Sequence, residues 1–414
     1  MAKNIFGKLF AIATIAFVFN GCEDKCYYYQ EEIEYQEILT NVDEVKNSFE
    51  VVADFAIKKP GNIYSYQSYL FVAEQNEGIH ILNNTNPASP VPLKFIKLKG
   101  NANFAVANDV LLADNGADLL SINFADLNNI KIEKRTENVN PDILRPDNKI
   151  LSGYKEVKVK RKIPCEDNNR FGSNQSISPV FSSSAGGGGT VSTGKAGSMA
   201  KFAVVNNYLY IAHSAVLQPL NISDPSHPIK LQKIQFSSDN IETIFPYKDY
   251  LYFGTSSGVL IYDCSSNPEV PVYRRTLSHA LGCDPVVVSE DFCFSTVRNG
   301  TACRWGNTIN SLYVFNVTDV NKPFFVNEVG LTNPYGLGVK DNLLFICQAE
   351  SGLSVFNWNK LTGQVTLKHN YPDIHAYDVI VNDNTLIVTA DNGLFQFDCT
   401  DPDNIKYLAT LSNF

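Results

Sequence analysis

Two stretches of this chain look like catalytic loops, and a set of residues scattered along it could converge on a ligand. Gly189-Thr190-Val191-Ser192-Thr193-Gly194-Lys195-Ala196 follows the phosphate-loop pattern to its last place, where Ala196 replaces the Ser or Thr that would coordinate magnesium. Gly254-Thr255-Ser256-Ser257-Gly258 matches the elbow Gly-x-Ser-x-Gly, which presents a serine nucleophile on a strand-to-helix turn. The scattered set is Asn62, Asn103, Lys201, Glu242, Asp284 and Tyr335, with His375, Tyr377 and Asp378. Amides, an ammonium and an imidazole hold polar ligands, and two or more carboxylates among them could act as acid and base.

What positions these residues is a repeat. An apolar pair, a few small residues, a turn with Gly, a second apolar strand and an Asn/Asp–Pro loop recur along the chain. The clearest copies begin at Tyr250-Leu251-Tyr252-Phe253 and Thr385-Leu386-Ile387-Val388. One anchor per copy gives Leu70, Leu111, Leu209, Leu251, Cys293, Leu343 and Leu386, with gaps of 41, 98, 42, 42, 50 and 43. A period of roughly 40–45 residues, all strand and turn, is that of a four-stranded propeller blade. The sequence therefore implies an all-β chain, a β-propeller of seven blades. The gap of 98 places a long inserted loop, residues 140–198, between blades two and three. The gap of 50 adds residues around 298–310 to blade five. Residues 49–57 read as a strand that closes the ring by pairing with the last repeat, so the propeller spans 49–414.

The repeat disposes of both loops. Counted from the anchor, the elbow occupies the slot of Thr389-Ala390-Asp391-Asn392-Gly393, a hairpin turn, so no strand-to-helix turn fits there. The phosphate-loop match lies in a Ser/Gly-rich stretch containing Gly186 to Gly189, and reads as a flexible loop. The scattered residues fare better. Most lie eight or nine residues before an anchor, at the start of an inner strand, and such positions ring the mouth of a propeller channel. The plainer reading is that they only solvate a rim and supply turns.

The N-terminus carries a second signal. Lys3 and Lys8 precede an apolar run over residues 9–19, which ends at Asn20-Gly21-Cys22. That run is about half the ~20 residues a membrane span requires, so residues 1–21 read as a signal peptide. Phe19-Asn20-Gly21-Cys22 resembles a bacterial lipobox, with Cys22 as the lipid attachment; an ordinary signal-peptidase site is the alternative. Glu23-Asp24 resembles the export signals of Bacteroidetes-type surface lipoproteins, which implies an outer-membrane lipoprotein exposed on the cell surface. Residues 22–48 read as an acidic tether. Loss of residues 1–21 removes two lysines and no acids, taking the net charge from −9 to −11. An acidic body argues against nucleic acid as partner. The basic run over residues 155–162 alternates Val and Lys and reads as a lysine-guarded edge strand.

Of nine cysteines, Cys293 and Cys347 sit among apolar neighbours and read as small core residues. Cys264 and Cys399 each follow the aspartate of the repeat and occupy equivalent slots. Cys283 and Cys303 both belong to blade five and are a candidate disulfide. No Cys-x-x-Cys or His-x-x-x-His spacing points to a metal, and no cofactor is implied.

The repeat phrase, with Glu242-Thr243-Ile244-Phe245-Pro246, Cys283-Asp284-Pro285-Val286 and Asn333-Pro334-Tyr335-Gly336-Leu337-Gly338, resembles the LVIVD-repeat lipoproteins of bacterial surfaces. The resemblance implies an extracytoplasmic propeller and transfers no catalytic residue. Blade two, with Ala125-Asp126-Leu127-Asn128-Asn129, and blade six, with Trp358-Asn359-Lys360-Leu361, lack the loop proline. Three functions fit: a monomeric, lipid-anchored binding or scaffold protein taking a protein, glycan or small molecule; a propeller hydrolase or lyase using Glu242, Asp284 and Asp378; or a structural envelope protein.

Overall fold

The computed structural model describes residues 27–53, 55–74, 76–164, 186–187, 195–199, 201–236, 241–282, 285–298, 309–390 and 393–411. Cys22, Cys283, Asp284 and Cys303 lie outside them. The chain forms two compact units, Met1–Glu34 with Lys158–Gly172, and Tyr35–Val157 with Ser173–Phe414.

The chain order starts with β1 (Tyr27–Asn41), helix α1 (Val42–Lys46) and β2 (Glu50–Val52). The first repeat supplies β3 (Pro60–Tyr66), β4 (Tyr69–Glu74), β5 (Gly78–Asn83) and β6 (Val91–Lys97). The second supplies β7 (Phe104–Ala107), β8 (Val110–Asn115), β9 (Asp118–Asn123) and β10 (Lys131–Thr136). The insertion contributes β11 (Leu144–Arg145), β12 (Lys149–Pro164), β13 (Gly186–Gly187) and β14 (Lys195–Ala196) before the third repeat begins at β15 (Phe202–Val205). Later repeats start from Ile241–Tyr247, Val286–Ser289, Leu337–Lys340 and Ala376–Asn382. Among the described residues, seven sheets of four or more strands each pair the four strands of one repeat in chain order, two of them gaining further strands at an edge. Their first strands stand side by side in sequence order, and Ala376–Asn382 returns to lie beside β3. The larger unit is a closed β-propeller.

Sheets stacked on both faces explain why the middle strands read as unbroken apolar runs. Leu70, Phe71 and Val72 of β4 are all fully buried, and so are Leu386, Ile387 and Val388 in the last repeat. The outermost strands face water and mix charges with apolar residues, as in the half-exposed β6. The Asn/Asp–Pro loop of the repeat is a pair of side-chain-to-backbone turns. Asn83 Oδ1 accepts from Thr85 N at 2.9 Å and Asn86 Oδ1 from Ala88 N at 3.1 Å, while Asn86 O accepts from Ser89 N. Asp126 makes the same contacts with Asn128 and Asn129 in blade two, so the side chain, not the proline, carries the turn there. In blade six Asn359 instead accepts from Leu361 N and Thr362 N in a longer loop closed by Gly363.

Three expectations need correction. The ring does not close through residues 49–57 and the last repeat: β2 pairs with β6, Glu50 opposite Lys97, and the last sheet is completed by its own strand Lys406–Leu411. Every repeat brings four strands of its own, so none is left to exchange. Closure comes from packing, with Ile63, Leu70 and Val72 against Ile380, Ile387 and Leu394, and from reciprocal amide bonds between Asn84 and Gln396.

The acidic stretch 22–48 is not a free tether over its described part. β1 pairs with β12, the basic strand, so two charge runs that each look solvated neutralise one another. In the smaller unit Glu34 meets Arg161 at 2.6 Å, Glu31 meets Lys160 at 3.3 Å, and Lys162 lies over the Tyr27 ring. In the larger unit Glu37 pairs with Arg145 at 3.0 Å, and α1 buries Val45 beneath the second sheet's turn at Gly116.

The insertion, expected as one low-complexity loop, contains structure at both ends. β11 and β12 open it, and β14 closes it by pairing antiparallel with β3, Lys195 opposite Ser65 and Ala196 opposite Tyr64. The returning chain thus runs along the innermost strand of blade one toward the end that carries Asn62. Lys195 and Ala196 of the phosphate-loop match belong to this strand; the rest of that match lies outside the described residues. The elbow sequence is a hairpin, with Thr255 Oγ1 donating to Gly258 O at 2.7 Å.

Candidate functional site

The start of each inner strand carries the side chains of interest because β3, β7, β15 and Ile241–Tyr247 stand parallel around the ring with their first residues at one end. In the larger unit a cavity of about 480 Å³ opens at that end. Asn62, Asn103, Lys201 and Glu242, one from each of four successive blades, line it. Asp114, Asp142, Arg145 and His213 join them, none of them singled out by the sequence. Asp114 reads as part of a hairpin turn, and its only signal is a charge ending the apolar run Leu111-Leu112-Ala113. His213 closes Tyr210-Ile211-Ala212 in the same way.

Asp114 is held by four donors: Ala102 N at 2.7 Å, Asn101 Nδ2 at 2.8 Å, Asn103 Nδ2 at 2.9 Å and Asn103 N at 3.0 Å. Burial nevertheless outweighs them and pushes its carboxyl up to about 6. Lys201 stands half-buried, and burial draws its ammonium below its ordinary value against the opposing pull of Glu242 and then Asp114. Burial likewise lowers His213, whose Nδ1 meets Asp142 Oδ2 at 3.2 Å. Among the described residues Lys201 Nζ makes no hydrogen bond or ion pair, so its charge is balanced only at a distance.

Lys201 is fixed from both sides. Its carbonyl accepts from Ala212 N at 2.8 Å. Just before it, Ser198 is buried, accepting from Leu337 N at 2.7 Å and lying 3.4 Å from Asp378 Oδ1. Asp378 is thereby walled in across the ring; a Cβ on Gly336 would sit 2.2 Å from its Oδ1. Asp378 does not line the cavity that holds Glu242, and Asp284 lies outside the described residues. Tyr335 and Tyr377 stack edge to face at 4.9 Å, Arg298 lies 3.7 Å over the Tyr335 ring, and His375 is exposed. Tyr335, His375 and Tyr377 are near the mouth by sequence position and do not line the cavity. No group of three His, Cys, Asp or Glu among the described residues is placed to hold a metal. Cys264, Cys293, Cys347 and Cys399 are buried free thiols whose burial raises them above the usual thiol value.

The Asp114 carboxyl gives a pH signature. Its folded value, about 6, lies above the ordinary 3.8, so between those limits the folded state binds the extra proton and stability falls as pH rises. Relative to Asp114→Asn, the wild type should lose up to about 3 kcal/mol between pH 4 and pH 7, at 1.36 kcal/mol per unit. Urea melts of both proteins across that range measure it. A difference that stays flat with pH rules the shift out.

The LVIVD repeat family matches residues 61–96 and 196–234. No curated protein sequence matches the chain. Among solved structures it resembles the periplasmic gluconolactonase of Pseudomonas aeruginosa, at 11% identity and TM-score 0.53, covering 86% of this chain and 97% of that one. It resembles a protein of unknown function from Desulfotomaculum acetoxidans at 13% identity and TM-score 0.53, covering 84% and 97%. It also resembles a Lactobacillus plantarum protein at 11% identity and TM-score 0.54, covering 86% and 96%. Identities this low speak for the fold alone. With its closed ring of antiparallel sheets the chain is a β-propeller, and it carries LVIVD repeats at two places, in its first and third blades.

Proposed function

We propose that the protein is a lipid-anchored, extracytoplasmic propeller that binds a small polar ligand, a glycan or its fragment, in the cavity at one channel mouth. The observation that carries this reading is the convergence of Asn62, Asn103, Lys201 and Glu242 from four blades on one cavity of about 480 Å³ with Asp114 and His213. That volume falls within the ~300–1,000 Å³ of small-molecule sites. Amide and carboxylate groups set at strand starts are held rigidly and offer donors and acceptors to hydroxyl groups. The anchor is supported by the charged start, the short apolar run and Cys22 after Gly21. In this reading the protein acts as a monomer at the outer face of the outer membrane and takes no nucleic acid.

A glycan and metabolite screen of the chain from Glu23 onward, followed by calorimetry, tests the binding role. Asn62→Ala or Glu242→Gln should weaken the hit about tenfold each, the loss of one hydrogen bond to a charged or polar group. A ligand whose affinity is untouched by either change would place binding elsewhere. Radiolabelled palmitate should enter the wild type and not Cys22→Ala; equal labelling would end the anchor proposal.

A further inference from the structure

The cavity holds an amine of an unusual kind. Lys201 is the one described lysine drawn below its ordinary value, whereas Lys46 and Lys360 are raised by the carboxylates they touch. Its Nζ has no partner among the described residues, yet it lines the open cavity rather than the sealed core. The groups around it come from four other elements: Glu242 from Ile241–Tyr247, Asp114 from β8, His213 from the strand Tyr208–His213 and its partner Asp142 from the turn Pro141–Ile143. Charge in the cavity already runs to both signs. A bare anion would face Glu242, Asp114 and Asp142, and a bare cation would face Lys201 and Arg145. A neutral polar ligand costs least to admit.

We propose that Lys201 takes a neutral, carbonyl-bearing ligand, an open-chain sugar or other small aldehyde or ketone, as a reversible imine. This rests on the reading of the cavity as a ligand site. An amine that is unpaired and partly desolvated is a better nucleophile than a solvated surface ammonium. The neutral Nζ attacks the carbonyl carbon, the C–N bond forms, and the C=O π pair moves to oxygen, which takes up a proton. The nitrogen then loses its proton, the hydroxyl leaves as water with a further proton, and the nitrogen lone pair closes the C=N bond. No oxidant or reductant is consumed. Asp114, with its carboxyl near 6, can exist in either protonation state at mildly acid pH and lines the same cavity to exchange those protons.

The test is reductive trapping on the mature protein with glyceraldehyde and sodium cyanoborohydride at pH 7, read by peptide mass spectrometry. Hydride from the reagent converts any imine to a stable secondary amine. The Lys201 peptide should be labelled several-fold faster than exposed lysines such as Lys155 or Lys158, because its amine lines the cavity without a charged partner in contact. In Lys201→Arg, checked by thermal melting for an intact ring, the fast label should vanish while labelling of the exposed lysines persists. Labelling of Lys201 at or below the rate of those lysines overturns the proposal. If the screened ligand still binds the cavity in that case, the imine fails and the binding role stands.

Discussion

Gly78→Ala should destabilise the ring by about 3 kcal/mol or more, against a change within about 0.5 kcal/mol for Gly330→Ala. Gly78 opens β5 at φ +150°, and a Cβ there would stand 1.9 Å from Ile96 O on β6. Nothing lies within 4 Å of a Cβ at Gly330. The same collision recurs at this slot in other blades, with Gly258 against Leu277 O at 2.4 Å and Gly352 against Tyr371 O at 2.2 Å. The neighbour in each case is backbone of a paired strand, which cannot swing aside as a side chain can. Chemical denaturation of the two single variants decides it. Equal stability of Gly78→Ala and Gly330→Ala would mean that the outer strand yields freely.

Arg135→Leu should cost roughly 2–4 kcal/mol and free the segment before β2, because it takes from a buried carboxylate the closer of its two cationic partners. Arg135 Nη1 donates to Asn115 Oδ1 at 2.8 Å and to Asp118 Oδ2 at 3.0 Å, while Nη2 donates to Lys46 O at 3.0 Å. Asp118 is only 3% exposed and would keep Lys46 at 3.5 Å and the Asn138 amide. Arg135 therefore ties α1 to the second sheet and compensates Asp118 at once. The double variant Arg135→Leu, Asp118→Asn should recover part of the loss, since the under-compensated buried charge is removed with its partner. Trypsin should cut after Lys46 faster in Arg135→Leu than in wild type. Unchanged cleavage and stability would show that Arg135 does not hold α1.

The fold was largely legible because its repeat is local. Alternation, Gly and Asx-turn residues recur at one period, and each blade's strands pair with their chain neighbours. The first hairpin of each blade was not legible. Gln67, Asn206, Lys248, Glu290, Asp341 and Asp383 adopt positive φ there, and Gln, Lys and Glu carry no turn signal of their own. The glycine of the repeat was read as a turn residue, whereas its crowding against the outer strand is set by a backbone that only pairing brings near.

The site was half legible. Asn62, Asn103, Lys201 and Glu242 share one phase of the repeat, so counting from the anchors places them at one end of the ring. Asp114 and His213 could not be found this way, because their roles depend on which neighbours cross the cavity. The charge runs at 22–48 and 155–162 show the limit most plainly. Each reads as solvated alone, and they pair only because the chain returns after more than a hundred residues.

By itself the sequence determined the all-β repeat, its period and the phase of its polar positions, because each depends on contacts within a blade or on simple alternation. Only the tertiary structure decided how the ring closes, that the insertion returns along β3, and which side chains share the cavity. Those outcomes rest on packing between segments far apart in sequence, where burial and charge are set by neighbours that no local pattern names.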